Sequence, residues 1–129
     1  MNVDKTREFI AAYNSRDFDA AIRDFHPRVE WILPALQRSD SAIGPEQVIQ
    51  FWNEIDDDMQ DLQLRPQEYR DAGDRVAVRL RHYGVGKGSG VVIDEELYHQ
   101  VTTFEDGVMI RIEYFESWDA ALEAAGLKE

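Results

Sequence analysis

The sequence predicts a single α+β domain in which helices come first and an antiparallel sheet follows. Three observations carry this reading. Up to about residue 55 the apolar residues recur mostly at three- and four-residue spacings, after Pro66 the period changes to two, and the later runs are separated by tight or glycine-rich turns. The 129 residues suffice for one core and are too few for two, and a 43% hydrophobic content with charges spread along the chain is that of a globular protein.

Val3, Phe9, Ile10 and Tyr13 form the apolar stripe of a first helix, which Asn14, Ser15 and Arg16 break. Asp17 caps a second helix, with Phe18, Ala21, Ile22 and Phe25 as its buried side before Pro27 stops it. Val29, Trp31 and Leu33 alternate with Glu30 and Ile32, a strand that ends at Pro34. Ala35 to Ile43 reads as polar and turn-like. Gly44-Pro45-Glu46 then opens a third helix whose apolar side is Val48, Ile49, Phe51, Trp52 and Ile55. Its acidic end, Glu54 to Asp61, reads as a solvated face and not a metal site, which would also need ligands converging from elsewhere.

Arg75 to Tyr83, Val91 to Phe104 and Val108 to Phe115 are three strand-like runs forming an antiparallel meander, joined by GVGKGSG and by the Glu105-Asp106-Gly107 turn. The glycine-rich turn joins strands and opens no helix, so it is not a phosphate loop. Ser117 begins a last helix that Gly126 ends.

Composition narrows the function. A formal net charge of -12 repels nucleic acid and anionic membranes as partners. The absence of cysteine removes disulfides, thiolate metal sites and a cysteine nucleophile. No run approaches the roughly 20 apolar residues of a membrane span, and the charged N-terminus lacks a signal-peptide core, so a cytoplasmic location is expected. His26, His82 and His99 lack metal-ligand spacing, and no metal or cofactor is expected.

The segments FIAAYNSRDFDAAIRDFHPRVEW, GPEQVIQFW, VTTFEDGVMIRIEYF and ALEAAGL, together with the element order, resemble the SnoaL-like branch of the NTF2-like superfamily over nearly the whole chain. The resemblance implies a cone: a curved antiparallel sheet wrapped over about three N-terminal helices around an internal pocket. It implies no single reaction, because the superfamily includes ketosteroid isomerases, polyketide cyclases, limonene epoxide hydrolases, dehydratases and binding proteins. Relative to the isomerases, Phe9 stands at the tyrosine position, Trp31 near the base position with Glu30 one residue away, and Gln100 at the acid position. The trio of the epoxide hydrolases is matched only in part around Arg79, Arg81, Glu113 and Tyr114, and a cyclase-type base is available only at Asp94.

Alternation through Val76, Val78 and Leu80 carries His82 to the inward face, where an imidazole suits proton transfer near neutral pH. On the long strand the inward set is Glu96, Tyr98, Gln100, Thr102 and Phe104, with Leu97, His99, Val101 and Thr103 behind it; a shift of register would bring in His99 instead. Ile110, Ile112 and Tyr114 are the inward set of the last strand. His82, oriented by Glu96, and Tyr114 as a donor are therefore the candidate catalytic groups. Phe9, Tyr13, Trp31, Phe51, Trp52, Tyr98, Gln100, Phe104 and Ile112 are the candidate pocket lining, with His99, Glu30 and Glu113 as alternatives if the strand register differs.

These groups admit three functions: a cofactor-independent isomerase, cyclase or dehydratase acting on an apolar or aromatic substrate, a non-catalytic binder of a hydrophobic small molecule, or an interaction module with a filled pocket. Val101, Thr103 and Phe115 among Arg79, Arg81 and Arg111 make the other face of the sheet too apolar to be fully wetted. A homodimer through the sheet is the expectation.

Overall fold

The computed structural model describes residues 1–34 and 42–127. The turn-like reading of residues 35–41 lies outside them. The elements are α1 (Asn2–Asn14), α2 (Phe18–Ala21), β1 (Phe25–Ile32), β2 (Ala42–Ile43), α3 (Pro45–Asp58), β3 (Met59–Asp71), β4 (Arg75–Gly86), β5 (Val92–Glu95), β6 (His99–Glu105), β7 (Val108–Phe115) and α4 (Trp118–Ala124). The described strands form one sheet in the order β2-β1-β7-β6-β4-β3, with β5 also on β4. This is the expected α+β architecture, a curved, unclosed sheet over helices. The β1–β7 pair is parallel, while the other pairs are antiparallel.

α1 buries Thr6, Phe9, Ile10 and Tyr13, one stripe at helical spacing. Of these, Phe9, Ile10 and Tyr13 meet Trp52 of α3, and Phe25, Val29 and Trp31 of β1, in the main core. Full burial of such a side chain contributes roughly 1.5–3 kcal/mol, so this shared core fixes where the helices lie beneath the sheet. Asp17 caps α2 by accepting from the Ala20 N–H at 3.2 Å. The helix is only one turn long, and Phe25 is the first residue of β1 instead of the last of a helical stripe. The cause is tertiary: the Met109 N–H donates to the Asp24 carbonyl at 2.7 Å, and Phe25 pairs with Met109 of β7. Pro27 is tolerated because it falls in the irregular stretch between Phe25 and Glu30, where the ladder to β7 is interrupted.

β3 corrects the sequence reading most. The acidic end of α3 passes at Met59 into a 13-residue strand, where a helix end and an unassigned stretch were expected. Its polar composition and Pro66 suit a strand paired only with β4, and both of its register shifts, at 60/63 and 66/68, lie close to residues that break the alternation.

The run from Val91 to Phe104 is two strands, not one. β4 is long enough to pair with β6 through residues 75–78 and with β5 through residues 82–85, and Glu96 to Tyr98 link the two outside the ladder. The link reverses the parity of the chain. Ile93 pairs with Gly84 and Gln100 with Val78, so odd positions face inward on β5 and even ones on β6.

In β7 the register slips between Arg111 and Met109, which buries Met109 and leaves Ile110 half-exposed. The inward set is therefore Met109, Ile112 and Tyr114. The turn before β7 has both Asp106 (φ 52°) and Gly107 (φ 79°) in the left-handed region, the geometry a two-residue hairpin needs and Asp-Gly supplies.

The apolar part of the convex face is covered from within the chain. α4, capped by the Ser117 hydroxyl at the Ala120 N–H, lays Ala121 and Ala125 against Ala77 and Val101, with Phe115 and Trp118 beside them. The arginines on this face are paired: Arg79 with Glu96 at 2.8 Å, Arg81 with Asp94 at 2.7 Å and Arg111 with Glu30 at 2.9 Å. Of the residues on which a homodimer was expected, Val101 and Phe115 thus pack with α4, and Arg79, Arg81 and Arg111 are ion-paired yet exposed at 40–49%.

Candidate functional site

The main core does not close completely. Between the concave face of the sheet, α1 and the C-terminal half of α3 lies a cavity of about 180 Å³. Buried residues form its floor: Phe9 and Tyr13 from α1, Trp52 from α3, Trp31 from β1, Leu64 from β3, His82 from β4 and Tyr114 from β7. Half-buried residues form its mouth, namely Leu33, Ile55, Met59, Leu62, Ile93, Leu97 and Tyr98. An engineered apolar cavity of about 150 Å³ stays dry and takes up benzene, so this space suits a ligand of one or two fused rings.

The aromatic groups hold one another in place. The Trp52 ring lies 5.3 Å from Tyr13 and 5.9 Å from Phe9, and Trp31 stands edge-on to Tyr114 at 5.7 Å. Phe51 does not reach the cavity; its ring lies 5.0 Å from Trp31 and backs it. Phe104 and Ile112 are also core, not lining. Phe9, Tyr13, Trp31, Trp52 and Tyr98 line the cavity from the expected set. Leu33, Ile55, Met59, Leu62, Leu64, Ile93 and Leu97 line it without having been singled out. The β3 members of that group became visible only once β3 itself was recognised as a strand.

His82 lies in the wall, only 5% exposed, with its ring edge-on to Tyr98 at 5.9 Å. Burial, with a smaller contribution from His99, pulls its pKa down to about 4, so the imidazole is neutral at pH 7. The expected partnership with Glu96 does not form. The parity reversal in the 96–98 link sends Glu96 to the convex face, where its bond to Arg79 lowers its pKa and its carboxylate lies 3.6 Å from His99 Nε2. Glu95, across the ladder from His82, is exposed. Among the described residues no carboxylate lines the cavity.

His99 is buried on the opposite side of the sheet from the cavity, its ring 5.7 Å from Trp118 and its Nδ1 accepting from the Leu80 N–H at 3.2 Å. Burial lowers its pKa against the opposing pull of Glu96. Glu30, Glu113 and Asp94 are likewise off the site: Glu30 and Asp94 are held by convex-face arginines, and Glu113 pairs across the ladder with Val101. His26 Nδ1 accepts from the Arg28 N–H at 2.9 Å, a local turn contact. No group of three or more His, Asp or Glu residues among the described ones is arranged to hold a metal, and no described helix is long and apolar enough to cross a membrane.

Gln100 and Tyr114 are opposite each other in the β6–β7 register. The Tyr114 hydroxyl donates to Gln100 Oε1 at 2.8 Å, and Gln100 Nε2 donates to Thr102 Oγ1 at 3.0 Å, all three side chains being buried. Gln100 thus contributes through Tyr114 and not as lining. Burial raises the Tyr114 pKa far above its usual value, with the neighbouring Trp31 N–H opposing that slightly; Tyr13 is pushed up to about 12 for the same reason.

Among the described residues the buried His82 Nδ1 has no hydrogen-bond partner, and the buried Trp31 Nε1 makes no bond of good geometry, although its N–H is close enough to the Tyr114 hydroxyl to act on that group's pKa. Both belong to residues of the cavity wall. An unpaired buried donor or acceptor costs about 1–3 kcal/mol, and such atoms are rare in folded proteins, which sets His82 apart from the other residues of the wall.

Residues 6–112 match the SnoaL-like domain family. Among solved structures, the chain superposes on an NTF2-like protein of unknown function from Burkholderia pseudomallei with a TM-score of 0.79 at 21% identity, over 95% of both chains. It superposes on TerC, co-crystallised with polyporic acid, with a TM-score of 0.78 at 22% identity, over 97% of this chain and 98% of that one. A putative SnoaL-like polyketide cyclase from Jannaschia gives 0.76 at 21% identity, over 99% and 93%. No curated protein sequence matches the chain. At these identities the likenesses establish the fold and not a ligand or reaction.

Proposed function

We propose that this chain, which belongs to the SnoaL-like domain family, binds an uncharged, largely apolar ring compound in its cone and orients it by hydrogen bonds from the wall. The observation that carries this is an apolar, aromatic cavity of about 180 Å³ whose wall includes His82, a buried side chain whose Nδ1 has no hydrogen-bond partner. Apolar pockets with a few polar groups are the usual form of small-molecule sites, the apolar surface supplying affinity and the polar groups orientation. The lack of any cationic residue among the described lining residues and the net charge of -12 both disfavour an anionic ligand.

Proton-transfer catalysis is the second reading, favoured by the neutral imidazole of His82 in the wall. Binding is preferred over it on two grounds. A base whose conjugate acid has a pKa of about 4 is weak for abstracting a proton from carbon, and no carboxylate among the described lining residues orients the ring or stabilises its cation.

The test is thermal melting and calorimetric titration of the full chain with small fused-ring aromatics, beside a Leu97→Trp variant that obstructs the mouth. At ligand concentrations near a hundred times Kd, stabilisation of about 2.7 kcal/mol is expected for the wild type, and none for the variant. A shift that survives in Leu97→Trp places binding elsewhere, and no shift with any aromatic removes the reading. Ligand stabilisation that persists in His82→Ala without turnover in the wild type supports binding; turnover that collapses in His82→Ala establishes catalysis.

A further inference from the structure

β4 changes partner beside the cavity. It pairs with β6 up to Val78, opposite Gln100, and with β5 from His82, opposite Glu95. Between those pairs β4 takes four steps, 78 to 82, while the facing chain takes five, 95 to 100, so the 96–98 link carries one residue more than a regular ladder holds. Leu80 stands in this fork, fully buried, and its N–H donates to His99 Nδ1 at 3.2 Å. The imidazole thus takes the place of a strand carbonyl, and a buried amide left without any acceptor is costly. Nδ1 accepts only while it carries no proton, so the ring is the neutral tautomer with its proton on Nε2. The link that ends at His99 carries Leu97 and Tyr98, two half-buried residues of the cavity mouth. Its other tie to β4, the ion pair of Glu96 with Arg79, is partly exposed, and such pairs contribute little.

We propose that His99 is a positioning residue for the mouth of the cavity: as a neutral imidazole it clasps the 96–98 link to β4, and so holds Leu97 and Tyr98 over a bound ligand. Its effect on a ligand rests on the pocket reading; its hold on the link does not. Protonation turns Nδ1 from an acceptor into a donor that faces a second donor, the Leu80 N–H, and the clasp opens. Glu96 is the group that favours the cation, but its carboxylate lies 3.6 Å from Nε2, beyond hydrogen-bond length, and is already engaged by Arg79. Arg79 opposes a positive charge here, and His82, the other titratable group of β4 beside the ring, stays neutral down to about pH 4. Phe115, opposite on β7, and Trp118 of α4 are uncharged, while Glu68, Arg70 and Asp119 line the groove on the far side of Trp118. Burial lowers the His99 pKa below its ordinary value against the pull of Glu96, so the clasp is closed at pH 7 and opens as the pH falls.

The experiment follows naphthalene dissociation from the full chain by tryptophan fluorescence, and amide hydrogen exchange corrected for its intrinsic pH dependence, at about pH 8 and about pH 5. In the wild type, dissociation should quicken roughly three- to ten-fold at the lower pH, the worth of one net hydrogen bond, with protection lost at Leu80, Leu97 and Tyr98. His99→Asn puts an amide oxygen near the position of Nδ1 and cannot titrate, so dissociation should stay slow at both pH values. His99→Leu offers no acceptor and should release naphthalene fast at both. A merely structural His99 would give the wild type and His99→Asn the same pH profile, or raise exchange evenly along the chain, and either result overturns the proposal. If His99→Leu fails to fold, the comparison of the wild type with His99→Asn still decides. If naphthalene does not bind, the pocket reading falls, and exchange alone decides the clasp: protection lost at these three amides in the wild type but not in His99→Asn upholds it, and unchanged protection overturns it.

Discussion

The imidazole of His82 stands edge-on to the ring of Tyr98, centroids 5.9 Å apart and planes at 86°, in a wall where its Nδ1 has no hydrogen-bond partner. Protonating it there means placing a cation in an apolar cavity. Its pKa is accordingly lowered from 6.5 to about 4. Between those values the unfolded chain binds the proton and the folded chain does not, so stability falls as pH drops from about 6.5 to about 4. One pKa unit is worth about 1.4 kcal/mol, which makes the loss on the order of 3 kcal/mol. His99, also lowered, adds to the slope with the same sign. Urea unfolding across this window should give a shallower pH dependence for His82→Phe than for the wild type; parallel curves would show that His82 titrates normally.

Gly84 matters for what it lacks. A Cβ there would lie 3.1 Å from Met59 Cε and 3.2 Å from both Cα and Cδ1 of Leu62, and Met59 and Leu62 belong to the mouth of the cavity. Met59 can swing aside, but the Leu62 backbone is part of the β3 irregularity and must shift. Gly84→Ala is expected to cost about 1–3 kcal/mol by overpacking and to move both side chains into the cavity. Naphthalene-sized ligands should then lose affinity more than benzene, as measured by titration of both.

Arg16 ties this mouth together. Its guanidinium bonds both oxygens of Asp56 at 3.0 Å and the Leu62 carbonyl at 2.9 Å, linking the end of α1 to α3 and to β3. Removing it leaves the Asp56 carboxylate and the Leu62 carbonyl, both only partly exposed, without these donors. Arg16→Ala should cost about 1–2 kcal/mol. Amide hydrogen exchange should rise first at residues 59–64, and uniform exchange along the chain would contradict the role.

α4 shields the convex face. Ending the chain after Glu116 would uncover Ala77, Val101 and Phe115 and leave an apolar patch on the sheet. Light scattering should find the truncated chain self-associating more strongly than the full one. Equal behaviour would mean that α4 is not what keeps this face from other molecules.

Much of the fold was legible because its signals are local. The stripe of α1, the caps at Asp17 and Ser117, the proline opening of α3 and the Asp106-Gly107 hairpin each depend on a few adjacent residues. β3 was not legible, because a strand paired only with β4 can be polar on most positions and carry a proline. The site was legible in part. His82 reached the cavity by counting along an unbroken strand, whereas Glu96 was assigned by counting across a break that nothing in the residues announces.

By itself the sequence determined the α+β class, the family, most of the aromatic floor and the inward direction of His82, since periodicity and local propensity act within one element at a time. The tertiary structure decided the rest: that Phe25 begins a strand, that Glu96 leaves the cavity for Arg79, that α4 packs over Val101, and that Gln100 holds the Tyr114 proton. Those outcomes depend on register and on which distant residue lies opposite. Pairing between strands, with a slip of a single residue exchanging the two faces of a sheet, is fixed only when the whole chain packs at once.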